Sequence, residues 1–219
     1  MKIIPAIIPQ TKEHLLSSLE AIRDVTRAVQ IDIVDGIYAG KASWPFAEKT
    51  PREEWEAVLR NVAQDFAIEI DCMCERPEDF MDSFALAAER LVIHWGSTTV
   101  LDDMLVRRDG RVEMGIALTN DIPLEEVYPY MERIDFVQCM GIAEVGAQGN
   151  GFDARVLPRS AEIHEKYPTL EIAVDGHVTM FTLPLLKAAG ATRFMAGSSI
   201  FATPDPAESL RALQALADA

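Results

Sequence analysis

The chain has 219 residues, 49% of them hydrophobic, enough for one sizeable buried core, and a formal net charge of −15 at pH 7. That charge argues against a nucleic-acid or anionic-membrane surface, because phosphate backbones are held mainly by Lys and Arg; backbone N–H groups can still hold one phosphate of a small molecule. The opening run MKIIPAIIPQT is broken by Pro5 and Pro9 and is too short for a signal peptide or a membrane span, and of the three cysteines Cys72 and Cys74 sit where a disulfide between them would be strained, so a cytoplasmic protein is expected.

Short β-branched runs alternate with Glu- and Ala-rich amphipathic segments along the whole chain. In order, they predict a strand at 3–8, a helix at 11–26, a strand at 28–33, a helix at 51–62, a strand at 67–74 and a helix at 77–88. Then come a strand at 91–94, a helix at 98–107, a strand at 112–118, a helix at 123–131 and a strand at 134–139. A helix at 154–167, a strand at 170–174, a helix at 179–188, a strand at 192–196 and a helix at 205–216 complete the series. Pro51 and Pro77 suit first turns of helices, and Gly190 suits a stop. Eight strand–helix units in this length predict an α/β fold, a single (β/α)₈ TIM barrel over 1–219, whose active site lies at the C-terminal strand ends.

Those ends carry Asp32 and Asp35, then Asp71 and Met73, His94, Gln138 or Met140, Asp175 and His177, and Gly197 with Ser198. Alternation along a strand puts Gln30 with Asp32, and Asp71 with Met73, on one face, so Gln30, Asp32, Asp71 and Asp175 can converge inside the barrel, while Cys72 and Cys74 face the helices. Asp35-Gly36 and Asp175-Gly176 also read as turns. Carboxylates buried together need a metal, a basic partner or water, and a divalent ion is the economical choice. Met73, His94 and Met140 are candidate pocket residues, although His94 also reads as a satisfied core histidine. Three glycine-bearing loops, at Gly146-Ala147-Gln148-Gly149, Gly176-His177 and Gly197-Ser198, follow the last three strands, where phosphate-binding barrels place their N–H groups.

Five stretches in order resemble the ribulose-phosphate 3-epimerase family: Ile31-Asp32-Ile33-Val34-Asp35-Gly36, Ile70-Asp71-Cys72-Met73-Cys74-Glu75-Arg76-Pro77, Val92-Ile93-His94, Val174-Asp175-Gly176 and Met195-Ala196-Gly197-Ser198-Ser199-Ile200-Phe201. The resemblance implies Asp32 and Asp175 as the catalytic acid–base pair on a phosphorylated sugar, and a divalent metal held at the positions of Gln30, Asp32, Asp71 and Asp175. The family's two metal-binding histidines correspond to Gln30 and Asp71. An oxygen-rich set of this kind favours Mg²⁺ or Mn²⁺ over Zn²⁺ or Fe²⁺. The expected activity is epimerisation of a ketose phosphate through a metal-stabilised enediolate, in a homo-oligomer. A sugar-phosphate decarboxylase or aldolase, and a noncatalytic sugar-phosphate-binding protein, remain as alternatives. The first usually needs a lysine near the second strand, where Lys41 is the nearest. Tyr38, Lys41, Trp44, Trp95 and Gln148 are further candidate substrate contacts.

Overall fold

A computed structural model of the chain describes residues 1–107, 110–146 and 151–219. Strands β1 (Lys2–Ile7), β2 (Ala28–Val34), β3 (Ala67–Met73), β4 (Ala88–His94), β5 (Glu113–Leu118), β6 (Phe136–Met140), β7 (Glu171–Asp175) and β8 (Arg193–Ala196) pair in parallel in sequence order, and β8 returns to β1 to close a barrel. Around it run α1 (Lys12–Ile22), α2 (Arg52–Val62), α3 (Met81–Phe84), α4 (Leu101–Arg107), α5 (Leu124–Val127), α6 (Val156–Lys166), α7 (Leu183–Ala188), α8 (Ser198–Phe201) and α9 (Pro206–Asp218). This is the (β/α)₈ architecture that the sequence periodicity predicts.

Helix starts follow local chemistry. Thr11 caps α1 by accepting the His14 N–H, and Asp205 caps α9 by accepting the Glu208 N–H. The single helix expected at 77–88 breaks into a 3₁₀ turn at Pro77–Asp79 and the one-turn α3, and β4 begins at Ala88. The segment Ala88-Glu89-Arg90 has helical propensity, but Ala88 pairs with Ile68 and Arg90 with Glu113 across the sheet, so tertiary pairing overrides it. The helix expected at 123–131 likewise divides into α5 and a 3₁₀ turn at Tyr128–Tyr130 around Pro129.

Strand alternation makes two main cores, beside a small cluster of Val34, Ala39 and Met73 at the mouth. The larger lies between sheet and helices and contains Ile31, Ile33, Cys72, Cys74 and Cys139, so these free thiols are small core residues, as expected for Cys72 and Cys74. The smaller fills the barrel with Ala6, Val92, Ala117, Phe136, Met140, Ala173 and Met195. Toward the N-terminal strand ends the inward residues are charged. Glu69, 1% exposed, pairs with Arg90 at 2.8 Å and Arg193 at 3.0 Å, and the Arg90 guanidinium lies 3.8 Å from the centre of the Phe136 ring. Phe136 has this position because β5 offers Gly115 opposite it: a Cβ there would fall 2.3 Å from the ring. Gly115→Ala is therefore expected to destabilise the protein by about 1–3 kcal/mol in denaturant titration, whereas Gly151→Ala, with open space around it, should cost far less.

Candidate active site

At the C-terminal ends of the strands lies a cavity that opens to solvent. Its walls include Asp32, Met73, Met140, Asp175, Gly176, His177, Gly197, Ser198 and Gly146, all of which the sequence nominates, together with Ala6, Ile8, Ile142, Val178, Met195 and Ser199. Ala147, Gln148 and Gly149 lie outside the described residues. Gln30, Asp71 and His94 do not line the cavity. They are inward-facing and buried, and Lys41 is exposed on the loop after β2. The other nominated contacts also lie off its walls. Trp44 is fully buried in the outer core, Trp95 packs edge-on against Tyr130, and the Tyr38 ring tilts against His94 at 5.5 Å.

Loop side chains hold the strand ends in place, Ser43 among them without any signal in the sequence pattern. The Ser43 hydroxyl accepts the Val34 N–H at 2.9 Å and donates to the Asp32 carbonyl at 3.0 Å, fixing the backbone on both sides of Ile33, directly after Asp32. Asp35 takes the turn role that was one of its two readings. One carboxylate oxygen accepts the N–H groups of Ile37 and Tyr38, and the other accepts that of Glu75 beyond β3, so the two loops are tied together. Gly176 has φ +101°, and a Cβ there would meet the Ile142 side chain at 2.8 Å, so glycine is required to turn the chain directly after Asp175.

Register places Asp32 beside Asp71 and Gln30 beside Glu69. Beneath the cavity the Gln30 amide donates to Glu69 at 2.9 Å and to Gln138 at 3.0 Å, and Gln138 donates to Asp71 at 2.8 Å. The other oxygen of Asp71 lies 2.8 Å from His94 Nε2. The structure thus gives His94 a partner inside the barrel and not a place on the cavity wall. Burial, then the neighbouring charges of Asp175, Asp71 and Glu69, push the Asp32 carboxyl well above its ordinary range. Burial and Asp71 push Asp175 up to about 8, against an opposing hydrogen bond from the Gly176 backbone. Tyr38 is raised to about 12, chiefly by burial and then by Asp71. Two wall carboxyls with a strong hold on protons, facing one cavity, form a pair suited to proton transfer.

The model of the ribulose-phosphate 3 epimerase family matches residues 2–201, which takes in every strand of the barrel. The chain belongs to the ribulose-phosphate 3-epimerase family. A ribulose-phosphate 3-epimerase of Schizosaccharomyces pombe is 31% identical over 148 residues, covering 66% of this chain and 64% of that relative. The cytoplasmic isoform from Oryza sativa is 28% identical over 173 residues, covering 72% of each. Among solved structures, KGPDC from Streptococcus mutans in complex with D-R5P superposes with a TM-score of 0.74 at 15% identity, over 99% of this chain and 96% of that one, a likeness of fold.

The divalent ion that family membership implies can be tested against the donor atoms. Among the described residues no three His, Cys, Asp or Glu side chains come together as ligands of one ion, so Asp32, Asp71 and Asp175 do not form that set. Both oxygens of Asp71 are taken by protein groups, and the Gln30 nitrogen is taken twice. Two buried acceptors, Asp32 Oδ1 and Gln30 Oε1, have no partner. With both Asp71 oxygens and the Gln30 nitrogen committed to protein partners, the four nominated groups offer no common set of free donors, and the residues present do not fit the ion as they stand.

The raised Asp175 carboxyl has a consequence for stability. Between about pH 4 and pH 8 the folded protein holds a proton that the unfolded chain releases, so stability falls as pH rises through that window. Asp175→Asn removes the penalty. In chelator-treated protein the variant should match wild type near pH 4 and exceed it by a few kcal/mol at pH 8 in urea titrations. A constant difference at all pH values would show that Asp175 does not titrate in this range.

Proposed function

We propose that this protein epimerises a ketose phosphate by proton transfer between Asp32 and Asp175. The observation that carries this reading is that β2 and β7, which are not neighbours in the barrel, bring these two buried carboxyls to one cavity whose rim is made of glycine-bearing loops. One carboxylate takes the proton from the carbon beside the ketone, and the electron pair moves onto the carbonyl oxygen to give an enediolate. The other, protonated, returns a proton to the opposite face of that carbon and inverts it. The proton left on the first carboxyl then passes to solvent or to its partner. Met73, Met140 and Met195 make apolar walls that keep water from the reacting carbon and keep both carboxyls hard to ionise.

The phosphate is held by backbone N–H groups of Gly146, Gly176, His177, Gly197 and Ser198, whose residues meet at the cavity, with Ala147, Gln148 and Gly149 as further proposed contacts. Epimerisation is favoured over a lysine-dependent decarboxylase or aldolase because no lysine is among the described residues lining the cavity. The retained acid pair speaks against a purely binding role. The small phosphorylated sugar is the proposed partner, and the net charge of −15 supports a reading without nucleic acid. Among the described residues no helix is long and apolar enough to cross a membrane, and together with the cytoplasmic isoform among the relatives this supports a cytoplasmic location. The exposed apolar side chains Met180, Phe181 and Leu185 support the proposal of a homo-oligomer.

Asp32→Asn and Asp175→Asn should each slow turnover of ribulose 5-phosphate or allulose 6-phosphate by at least ~10²-fold while leaving ligand binding measurable, because an amide keeps the shape but cannot accept the proton. Incorporation of solvent deuterium at the α-carbon reads the step directly. Near-normal exchange in both variants would remove the pair from the mechanism, and no exchange by wild type with any ketose phosphate would favour the binding-protein reading. Gly197→Leu should weaken every phosphorylated ligand alike by crowding the anion, and unchanged titration of inorganic phosphate in that variant, with the fold intact, would move the phosphate elsewhere.

A further inference from the structure

The polar groups beneath the cavity form one continuous chain. It starts at Glu69, held by Arg90 and Arg193, and passes through Gln30 and Gln138 to Asp71 and His94. Its links measure 2.8 to 3.0 Å, and Glu69, Gln30, Gln138, Asp71 and His94 are each no more than 1% exposed. The direction of the chain is set by chemistry. The Gln138 amide can satisfy Asp71 only through its nitrogen, which leaves its oxygen for Gln30, and the Gln30 nitrogen must then face both Gln138 and Glu69. Each amide orientation is therefore determined by a carboxylate at one end.

Holding carboxylates near one another inside a barrel requires either a cation or enough hydrogen-bond donors to compensate their burial. For Glu69 and Asp71 the donors are present. We propose that this amide–carboxylate chain organises the site in place of a divalent metal ion, with Gln138 as the positioning residue that occupies Asp71 and turns Gln30 toward the N-terminal end of the barrel. The inference deepens the proposed function, resting on it only for the identity of the Asp32–Asp175 pair. Its test reads metal content, so a failed epimerase assay would leave it standing.

Purified protein is treated with EDTA, incubated with excess Mn²⁺, Zn²⁺ or Fe²⁺ (the last without oxygen), desalted, and examined by elemental analysis and thermal melting. Mg²⁺ is titrated calorimetrically. Wild type should retain no stoichiometric metal, show no Mg²⁺ binding heat and keep the same Tm, because an ion bound to the folded state alone would raise it. The double variant Gln30→His with Asp71→His, which supplies two imidazoles and breaks the chain at both sides of Gln138, should gain a full equivalent of Zn²⁺ or Mn²⁺ and a higher Tm in its presence. A full equivalent in wild type, removable by EDTA with a fall in Tm, overturns the proposal whether or not the double variant folds. Gln138→Leu tests the positioning role: kcat should fall with KM for the sugar phosphate nearly unchanged, and a change in KM alone would overturn that part.

Discussion

The burial of four acidic side chains inside one barrel is the constraint on which the rest of the structure depends. Glu69, Asp71, Asp32 and Asp175 all face inward and are shielded from solvent. A carboxylate transferred from water to such an interior loses several kcal/mol of solvation unless it is paired, hydrogen-bonded or protonated. Each of the four meets this requirement differently. Glu69 is opposed by two arginines, and burial still raises its carboxyl. Asp71 has a donor or a histidine nitrogen at each oxygen. Asp32 and Asp175 lack comparable side-chain partners, and theirs are the carboxyls displaced toward the protonated form on the cavity wall.

This ordering follows the barrel axis. At the N-terminal end the charges are compensated, with Arg90 spread across Phe136 and bonded to Glu113 and Glu171. In the middle, amides carry hydrogen bonding from one carboxylate to the next. At the open end the acids meet apolar methionine side chains and the glycine turns. A reacting pair needs groups whose protonation is poised, and such groups are tolerable only where the surrounding scaffold is already satisfied. The Ser43 and Asp35 anchors serve the same end from outside the barrel, since each uses one side chain to fix several backbone groups at the mouth.

Much of this was legible in the sequence. Alternation within Gln30-Ile31-Asp32 and Asp71-Cys72-Met73 assigned each residue to the inside or the outside of the barrel, because successive strand residues point to opposite faces whatever the partners are. The glycines at 176 and 197 marked tight turns at a mouth, and their residues do line the cavity. Spacing alone did not show which groups the inward acids would meet. Asp71 faces inward as expected, but its oxygens meet Gln138 and His94. His94, nominated for the pocket wall, is drawn below it by the same contact. The break in the helix at 77–88 escaped for a related reason, since the residues that convert Ala88-Glu89-Arg90 into strand lie on β3 and β5.

The sequence by itself determined the number of strand–helix units, the side each strand residue takes and the end of the barrel where chemistry can occur, because these depend on short-range periodicity and on the direction of the chain. Only the tertiary structure decided which inward groups satisfy one another. Gln30 meets Gln138 across 108 positions and Asp71 meets it across 67, contacts that exist only once the barrel closes. Donor and acceptor geometry at those crossings, which no spacing encodes, leaves Asp71 held by its neighbours and Asp32 and Asp175 facing the cavity.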